Sequence, residues 1–543
     1  MPGVAGFLDS LLHGALLIGL SVAIGGVAWR LVVLRDGRRA PPDAAVRRCL
    51  ACVAIGAVGF AGAEVVALVI KVRELSRLLE SDAFCDFATT AQFWAASTRA
   101  GLALGLAGWA LALGRRGGRL GQLVVPAALA LSMAVSGAWL THAAGRLDHR
   151  SSLMVLTVLH QVAAAVWVGG LVQLALLWRL ARRQPEVDAF WPAAVARFSR
   201  LAAGSVLVLA LSAAPLGLVL VGSWDGLIGT GYGSLVTIKS LLMAATLVLA
   251  ALNFRAARAS PGAGGEALRT RLPCLVEAEI LLAVMILFTA TSLSAQPPAV
   301  DLTSERATWS EVVDVFRPKW PELRTPSVAN MRADRAGDTA DGAAARSPDA
   351  YQWSNFSHNV AGLILLGMSA FALLGFATGG SWGARWPLGF VLLAAFIGLR
   401  AAANEGTWPF GTRSLLELRV EGLQHRIAGV LVLALGVLEW RARASRHGTR
   451  AVRFVFPVLA AVGGVLLLTH SHTAFQPKAG FLVQVTHSTI GALAAVIAVG
   501  RWLELRLAPP GARVAGAVAV LAMLMIALVL VFYREGVVAP PTG

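Results

Sequence analysis

Charge is scarce in this chain. Of its 543 residues only 14% are Asp, Glu, Lys or Arg, against 57% that are hydrophobic. A free-standing globular protein needs a larger polar exterior than that. Cysteine is thin as well: Cys49, Cys52, Cys85 and Cys274 do not make a disulfide framework. Lys and Arg are missing from Met1 to Ser10, so the opening lacks the basic n-region of a cleavable signal peptide, and the first apolar run is expected to stay as a span. Period-two alternation is absent from the apolar runs, which excludes a lipid-facing barrel. No P-loop, nucleophile elbow or ATPase signature occurs. The chain is therefore not read as an enzyme, and any transport is not driven by its own nucleotide hydrolysis.

What is present is run after run of about 20 apolar residues, the length that crosses roughly 30 Å of hydrocarbon. Continuous apolar runs of this length satisfy their backbone groups as helices. The expected fold is all-α, a polytopic transmembrane bundle of about fourteen spans. They lie near 8–34, 48–71, 92–114, 120–142, 152–178, 198–222, 234–254, 272–294, 356–378, 386–402, 420–440, 453–470, 480–502 and 513–533. The domains follow as an eight-helix membrane part, 1–294, a polar segment, 295–355, and a six-helix part, 356–535. Within the polar segment, 330–350 reads as a flexible linker. The stretch from Ala307 to Pro321 reads either as an amphipathic interfacial segment or as a solvated loop with Trp anchors.

The net charge of +17 suggests a nucleic-acid partner, but its distribution does not. Arginines fill alternate short loops: Arg35, Arg38 and Arg39 after the first span, Arg115 and Arg116 after the third, Arg182 and Arg183 after the fifth, Arg441 and Arg443 after the eleventh. The positive-inside rule assigns those loops to the cytoplasm, which places both termini outside and leaves no basic domain for nucleic acid.

The two membrane parts match span for span, in the manner of a parallel internal repeat. His13 and His358 stand near the outer ends of the first and ninth spans. Arg99 and Arg426 fall early in the third and eleventh. The fourth and twelfth end in Leu-Thr-His, at His142 and His470, and the fifth and thirteenth carry His160 and His487. Nine of the ten histidines thus gather at the outer face, the exception being His447 in an Arg-rich loop. Imidazoles converging from separate helices suit Cu, Zn, Fe or Ni. The second part adds His472, two residues from His470, and His425, one turn after Glu421, whose carboxylate could hold a ligating ring. Any single interfacial histidine is more often a capping or headgroup residue; it is the set that points to a metal.

Ionisable groups inside spans mark pairs or paths. Glu64 and Arg99 lie at similar depth and are expected to pair or to line a polar cavity. Glu277 and Glu279 lie nearer the inner end of the eighth span, and Lys239 near the outer end of the seventh. Cys49 and Cys52, at i,i+3 spacing, share a helix face where they could take soft Cu(I); two inert packing residues are the more ordinary reading.

Several segments together resemble one family. They are His160-Gln-Val-Ala-Ala-Ala-Val-Trp-Val-Gly-Gly170, Val195-Ala-Arg-Phe-Ser-Arg200, Gly229-Thr-Gly-Tyr-Gly233, Ile238-Lys239 and Leu252-Asn253. In order and spacing they are similar to the CopD/PcoD copper-resistance membrane proteins, most strongly over about residues 150–300. The resemblance implies a multi-pass protein of the bacterial inner (plasma) membrane that handles periplasmic copper ion beside a periplasmic copper-binding partner, with His160 as the position carried over. The sequence leaves three readings open. The first is copper uptake, with capture at the outer histidines and passage by Glu64 and Arg99 toward Cys49 and Cys52. The second is b-type haem electron transfer, with His13 paired to His160 or His142, and His358 or His425 paired to His487. The third is a membrane anchor or sensor that presents copper to a partner.

Overall fold

A backbone in hydrocarbon must bond to itself, and this one does so by helix throughout. The computed structural model describes residues 2–35, 40–116, 120–258, 263–327, 329, 348–378, 381–412, 414, 420–444, 451–469 and 477–535. Among these the long helices are α1 (Pro2–Val32), α2 (Asp43–Leu78), α4 (Ala91–Arg116), α5 (Val124–Ala138), α6 (Arg150–Ala181), α7 (Pro185–Val221), α9 (Gly231–Arg258) and α10 (Ala263–Ser294). They continue as α12 (Pro348–Thr378), α13 (Gly389–Glu405), α14 (Val420–Ala444), α15 (Val455–Leu468), α16 (Pro477–Arg506) and α17 (Gly511–Val531). Short helices α3 (Phe84–Ala88), α8 (Trp224–Ile228) and α11 (Trp309–Phe316) lie between them. Each apolar run expected to span is therefore helical. The molecule is a polytopic helical membrane bundle, with 11 of the helices both long and apolar enough to cross.

The two shorter apolar helices are the fourth of each series. Helix α5 has 15 residues and α15 has 14, about 21–23 Å at 1.5 Å per residue and short of the roughly 30 Å core. Each ends in the same way. Thr141 Oγ1 donates to the Ala138 carbonyl at 2.8 Å, and Thr469 Oγ1 donates to the Val465 carbonyl at 2.9 Å. The threonine of Leu-Thr-His thus gives a carbonyl of the last turn a second donor beside its own backbone N–H.

The chain forms two compact units. One comprises residues 2–223 and 243–300, the other 224–242 and 301–543. In the first, α1, α2, α4, α5 and α6 enclose a core rich in alanine, including Ala23, Ala57, Ala103, Ala134 and Ala165 around Phe60 and Leu106. Small residues let the backbones meet. A Cβ on Gly25 would stand 2.7 Å from the Gly169 Cα, so α1 and α6 cross almost backbone to backbone. The second unit packs α12 on α17, α15 and α17 on α16, and α13 on α14. Its core uses larger side chains: Met368, Trp386, Phe390, Phe456, Met523 and Ile526.

In that second unit residues 301–327, before α12, carry a short helix docked on the bundle. Helix α11 starts with a complete capping box. Glu311 N donates to Thr308 Oγ1, and the Glu311 carboxylate accepts from the Thr308 N–H. Val312 is buried with Phe481 and Val485 of α16, while Trp309 faces outward. Helix α11 therefore has one packed face and one exposed face. The glycines of Gly229-Thr-Gly-Tyr-Gly233 have a reason here as well. A Cβ on Gly229 would collide with the Ala307 backbone, and Thr230 Oγ1 accepts from Gly233 N at 3.0 Å to start α9.

Candidate functional site

The residues singled out by sequence fall into two groups. In the second unit α12 and α16 bring His358 and His487 together, with ring centroids 5.6 Å apart and the planes nearly perpendicular, 88°. Both rings are held in the same way: His358 Nδ1 lies 2.8 Å from the Ser354 carbonyl, and His487 Nδ1 lies 3.0 Å from the Val483 carbonyl. A carbonyl accepts only, so each Nδ1 carries the proton and each ring keeps its lone pair on Nε2. His358 is further fixed by Tyr533, whose ring lies 4.0 Å away at a 32° tilt. The Tyr533 hydroxyl donates to Glu535, which also accepts from Ser354 Oγ at 2.9 Å. Next to His358, buried Asn359 donates to the Leu530 and Tyr533 carbonyls at 3.0 Å each, clamping α12 to the end of α17.

The ordered segment before α12 runs across this group. Glu322 N donates to Asn359 Oδ1 at 2.6 Å, Arg534 reaches the Trp320 carbonyl, and Lys478 pairs with Glu311 at 2.8 Å. These partners come from a polar stretch with no motif of its own, and Tyr533 and Glu535 stand at and just past the end of the last apolar run, where periodicity carries no cue. His425, on α14, is exposed. His470 and His472 lie outside the described residues, as does the side chain of Glu421.

In the first unit His13 repeats the device of His358, with Nδ1 at 2.9 Å from the Asp9 carbonyl and 3.3 Å from its carboxylate. His160 Nδ1 instead meets Ser212 Oγ of α7 at 3.1 Å. His142 sits beyond α5 in a short 3-10 turn, His142–Gly145. Among the described residues no three of His, Cys, Asp and Glu come together as a metal cage. The expected triad of His13, His142 and His160 is accordingly not assembled among these residues: His13 is held by its own helix and His160 by Ser212 of the neighbouring one.

The expected pairing of Glu64 with Arg99 is present. Arg99 Nη1 lies 2.9 Å from Glu64 Oε1, and both side chains are at most 10% exposed. Arg99 also stacks over Phe60, with Cζ 4.9 Å from the ring centre. Its Nε has no hydrogen-bond partner among the described residues, and neither has Gln161 Oε1 of α6. Both atoms border Gly137, lying 3.6 and 3.1 Å from where a Cβ would stand. A donor and an acceptor, both buried and both facing the space left by one glycine, make a polar gap between α4, α5 and α6 that suits a bridging water or small polar group. The second unit has a related arrangement. Arg426 donates to Thr407 Oγ1, and buried Glu405 presses against Gly422, one turn earlier on the same face of α14.

Cys49 is buried, with Sγ 3.4 Å from the Gly26 carbonyl, and Cys52 is half-buried. Lys239 and Glu277 are half-buried, whereas Glu279 is buried and accepts from Asn253 Nδ2 at 2.8 Å. One cluster escaped the sequence reading. Arg501 bonds Glu439 at 2.9 Å and Glu504 at 2.8 Å, and Arg443 bonds Glu439 at 2.6 Å, linking the inner ends of α14 and α16. Its signal was Glu439 and Arg501 inside apolar runs; Arg443 reads from sequence as an ordinary loop arginine.

Known proteins bear on this geometry in part. Residues 192–293 match the family model described as Copper resistance protein D, CopD. That segment holds Asn253 and Glu279 but begins after His160. A copper transport protein, CutJ of Bacillus subtilis (strain 168), is 29% identical over 177 residues, which are 33% of this chain and 31% of the relative. The match thus spans about a third of either protein. No solved structure matches.

Proposed function

We propose that the protein handles copper ion in a bacterial inner membrane, capturing it from the outer side at His358 and His487. The observation that carries this reading is the approach of the two rings. An ion bound at about 2.0 Å to the Nε2 of each imidazole sits about 3.1 Å from each ring centroid, so 5.6 Å between centroids corresponds to roughly 130° at the ion. That angle lies between trigonal and linear, a bent two-imidazole arrangement open to a third ligand. His425, His470 and His472 are the groups available to complete the shell, and a periplasmic copper-binding protein is the proposed donor. Copper is cargo here; uptake with passage by Glu64, Arg99 and the Gly137 gap toward Cys49 and Cys52 is the route that the buried polar groups favour. The similarity to CopD and to a copper transport protein supports the choice of metal.

A haem between His358 and His487 fits less well. Axial imidazoles on one iron stand about 6.3 Å apart across the porphyrin plane, more than the 5.6 Å here, and Tyr533 already lies against His358. The test is copper stoichiometry of the purified full chain. His358→Ala and His487→Ala should each lose bound copper while the helical circular dichroism is retained. Unchanged stoichiometry in both variants overturns the site, and a Soret band in the wild type would establish haem instead.

A further inference from the structure

Two buried carboxylates of the first unit have partners of different kinds. Glu64 faces a guanidinium, which satisfies a carboxylate in its charged form only. Glu279, 4% exposed in α10, faces the side-chain amide of Asn253 in α9, Nδ2 to Oε1 at 2.8 Å. No cation pairs with it among the described residues. An amide can serve both forms of an acid. Its N–H donates to the carboxylate, and after a turn about its last bond its oxygen accepts from the acid O–H. The Asn253 oxygen is buried with no hydrogen-bond partner among the described residues, so it stands ready for that exchange.

Among the described residues no other charged group acts on Glu279, and Lys239 of α9 stands 14 positions before Asn253. Helices α1 and α6 pack on α10. On α1, Asp9 holds His13, and Arg30 donates to the Leu34 carbonyl at 2.6 Å. On α6, Arg150 stacks on Trp139, His160 meets Ser212 and Arg179 is exposed. Arg255 of α9 is exposed. On α10 itself, Arg269 pairs with Asp188, Arg271 is exposed, Cys274 donates to the Thr270 carbonyl at 3.0 Å, and Glu277 is half-buried. An acid inside a membrane bundle with no cationic partner must take its compensating charge from solution.

We infer that Glu279 and Asn253 form a reversible proton-binding site, the carboxylate taking one proton to become the acid and returning it, with the amide bonded to either form. It lies in the CopD-like segment, where it would give the copper-handling unit a proton to exchange. The site itself does not depend on the copper reading. Infrared pH titration of copper-free full-length protein in nanodiscs tests it. A protonated-carboxyl C=O band should grow as pH falls, vanish in Glu279→Gln, persist in Glu279→Asp and change frequency in Asn253→Ala. A spectrum that Glu279→Gln leaves unaltered, or a Glu279 band indifferent to pH, overturns the proposal. So does a band set by sodium chloride against choline chloride rather than by pH, which would make the site one for a metal cation.

Discussion

In the first unit α1 crosses α6 at Gly25 and Gly169, among alanines; in the second α12 meets α17 beside Gly362, among Met, Phe, Trp and Ile. Both series run helix to neighbouring helix, and both have a short fourth member ended by a threonine, but they close through different pairs. Among the described residues the first unit has the buried ion pair Glu64–Arg99, and the second ties α14 to α16 with two acids and two arginines. The second bundle, cored by larger side chains, holds a charged network and also brings two imidazoles together. If the halves arose by duplication, the matched histidines diverged in use: His13 and His358 keep the same backbone bond, while His160 turned to Ser212 and His487 to the carbonyl four residues back in its own helix.

The sharpest way to break this comparison is through the ions. Removing one member of a buried pair strands its partner and costs about 3–5 kcal/mol, whereas replacing both by apolar groups is often neutral. Glu64→Gln should therefore destabilise strongly, and Glu64→Leu with Arg99→Met should restore most of the loss. Glu439→Gln should destabilise too, because Arg443 loses its partner at 2.6 Å and Arg501 is left to Glu504 alone. There a single second substitution should rescue only in part, since the other arginine has still lost a carboxylate. Thermal unfolding in detergent, followed by tryptophan fluorescence, measures all of these. Equal rescue in the two units would mean that the network acts as two independent pairs.

Closure comes next in size. Overpacking a tight crossing costs about 1–3 kcal/mol, occasionally more. Gly169→Val and Gly362→Val should each fall in that range, since a Cβ would lie 2.9 Å from the Gly25 Cα in one case and 2.7 Å from the Leu530 backbone in the other. Gly59→Val and Gly367→Val, which meet nothing within 4 Å, should leave unfolding unchanged. Should Gly362→Val prove harmless, α12 and α17 would not close the second bundle, and the contrast between units would fail.

Much of this could be read from the residues alone. Apolar run length located every long helix, and two opposite charges at equal depth announced the Glu64–Arg99 pair. The Leu-Thr-His repeat pointed to two helix ends that prove alike. What could not be read depends on rotation about the helix axis and on partners far along the chain. Nothing in the spacing of His13, His142 and His160 says that they do not gather, while His358 and His487, 129 positions apart, share one contact. Asn253 for Glu279, and Tyr533 for His358, are likewise choices of neighbouring helix, which periodicity does not specify.

The smallest effect concerns the segment that crosses the His358–His487 group and has no counterpart in the first unit. Partial burial opposes the charged form of Glu311, but hydrogen bonds from Lys478 and Thr308 outweigh it and hold the carboxyl below its ordinary value. Lys319, bonding at 2.7 Å, does the same for Asp314. A carboxyl lowered in the folded state contributes stability that is present above its unfolded pKa. That stability is lost as pH falls through the lower folded value. Helix α11 should therefore stay docked near neutral pH and fray only below the usual carboxylate range. Glu311→Gln should weaken it at neutral pH and flatten that dependence, and Thr308→Ala should cost about 1 kcal/mol as a lost cap. Hydrogen exchange of the Val312 and Val313 amides between pH 7 and the acid limit of the fold, corrected for intrinsic rates, measures this directly. Protection that rises on acidification would show that burial of Glu311, and not its bonds to Lys478 and Thr308, governs the segment.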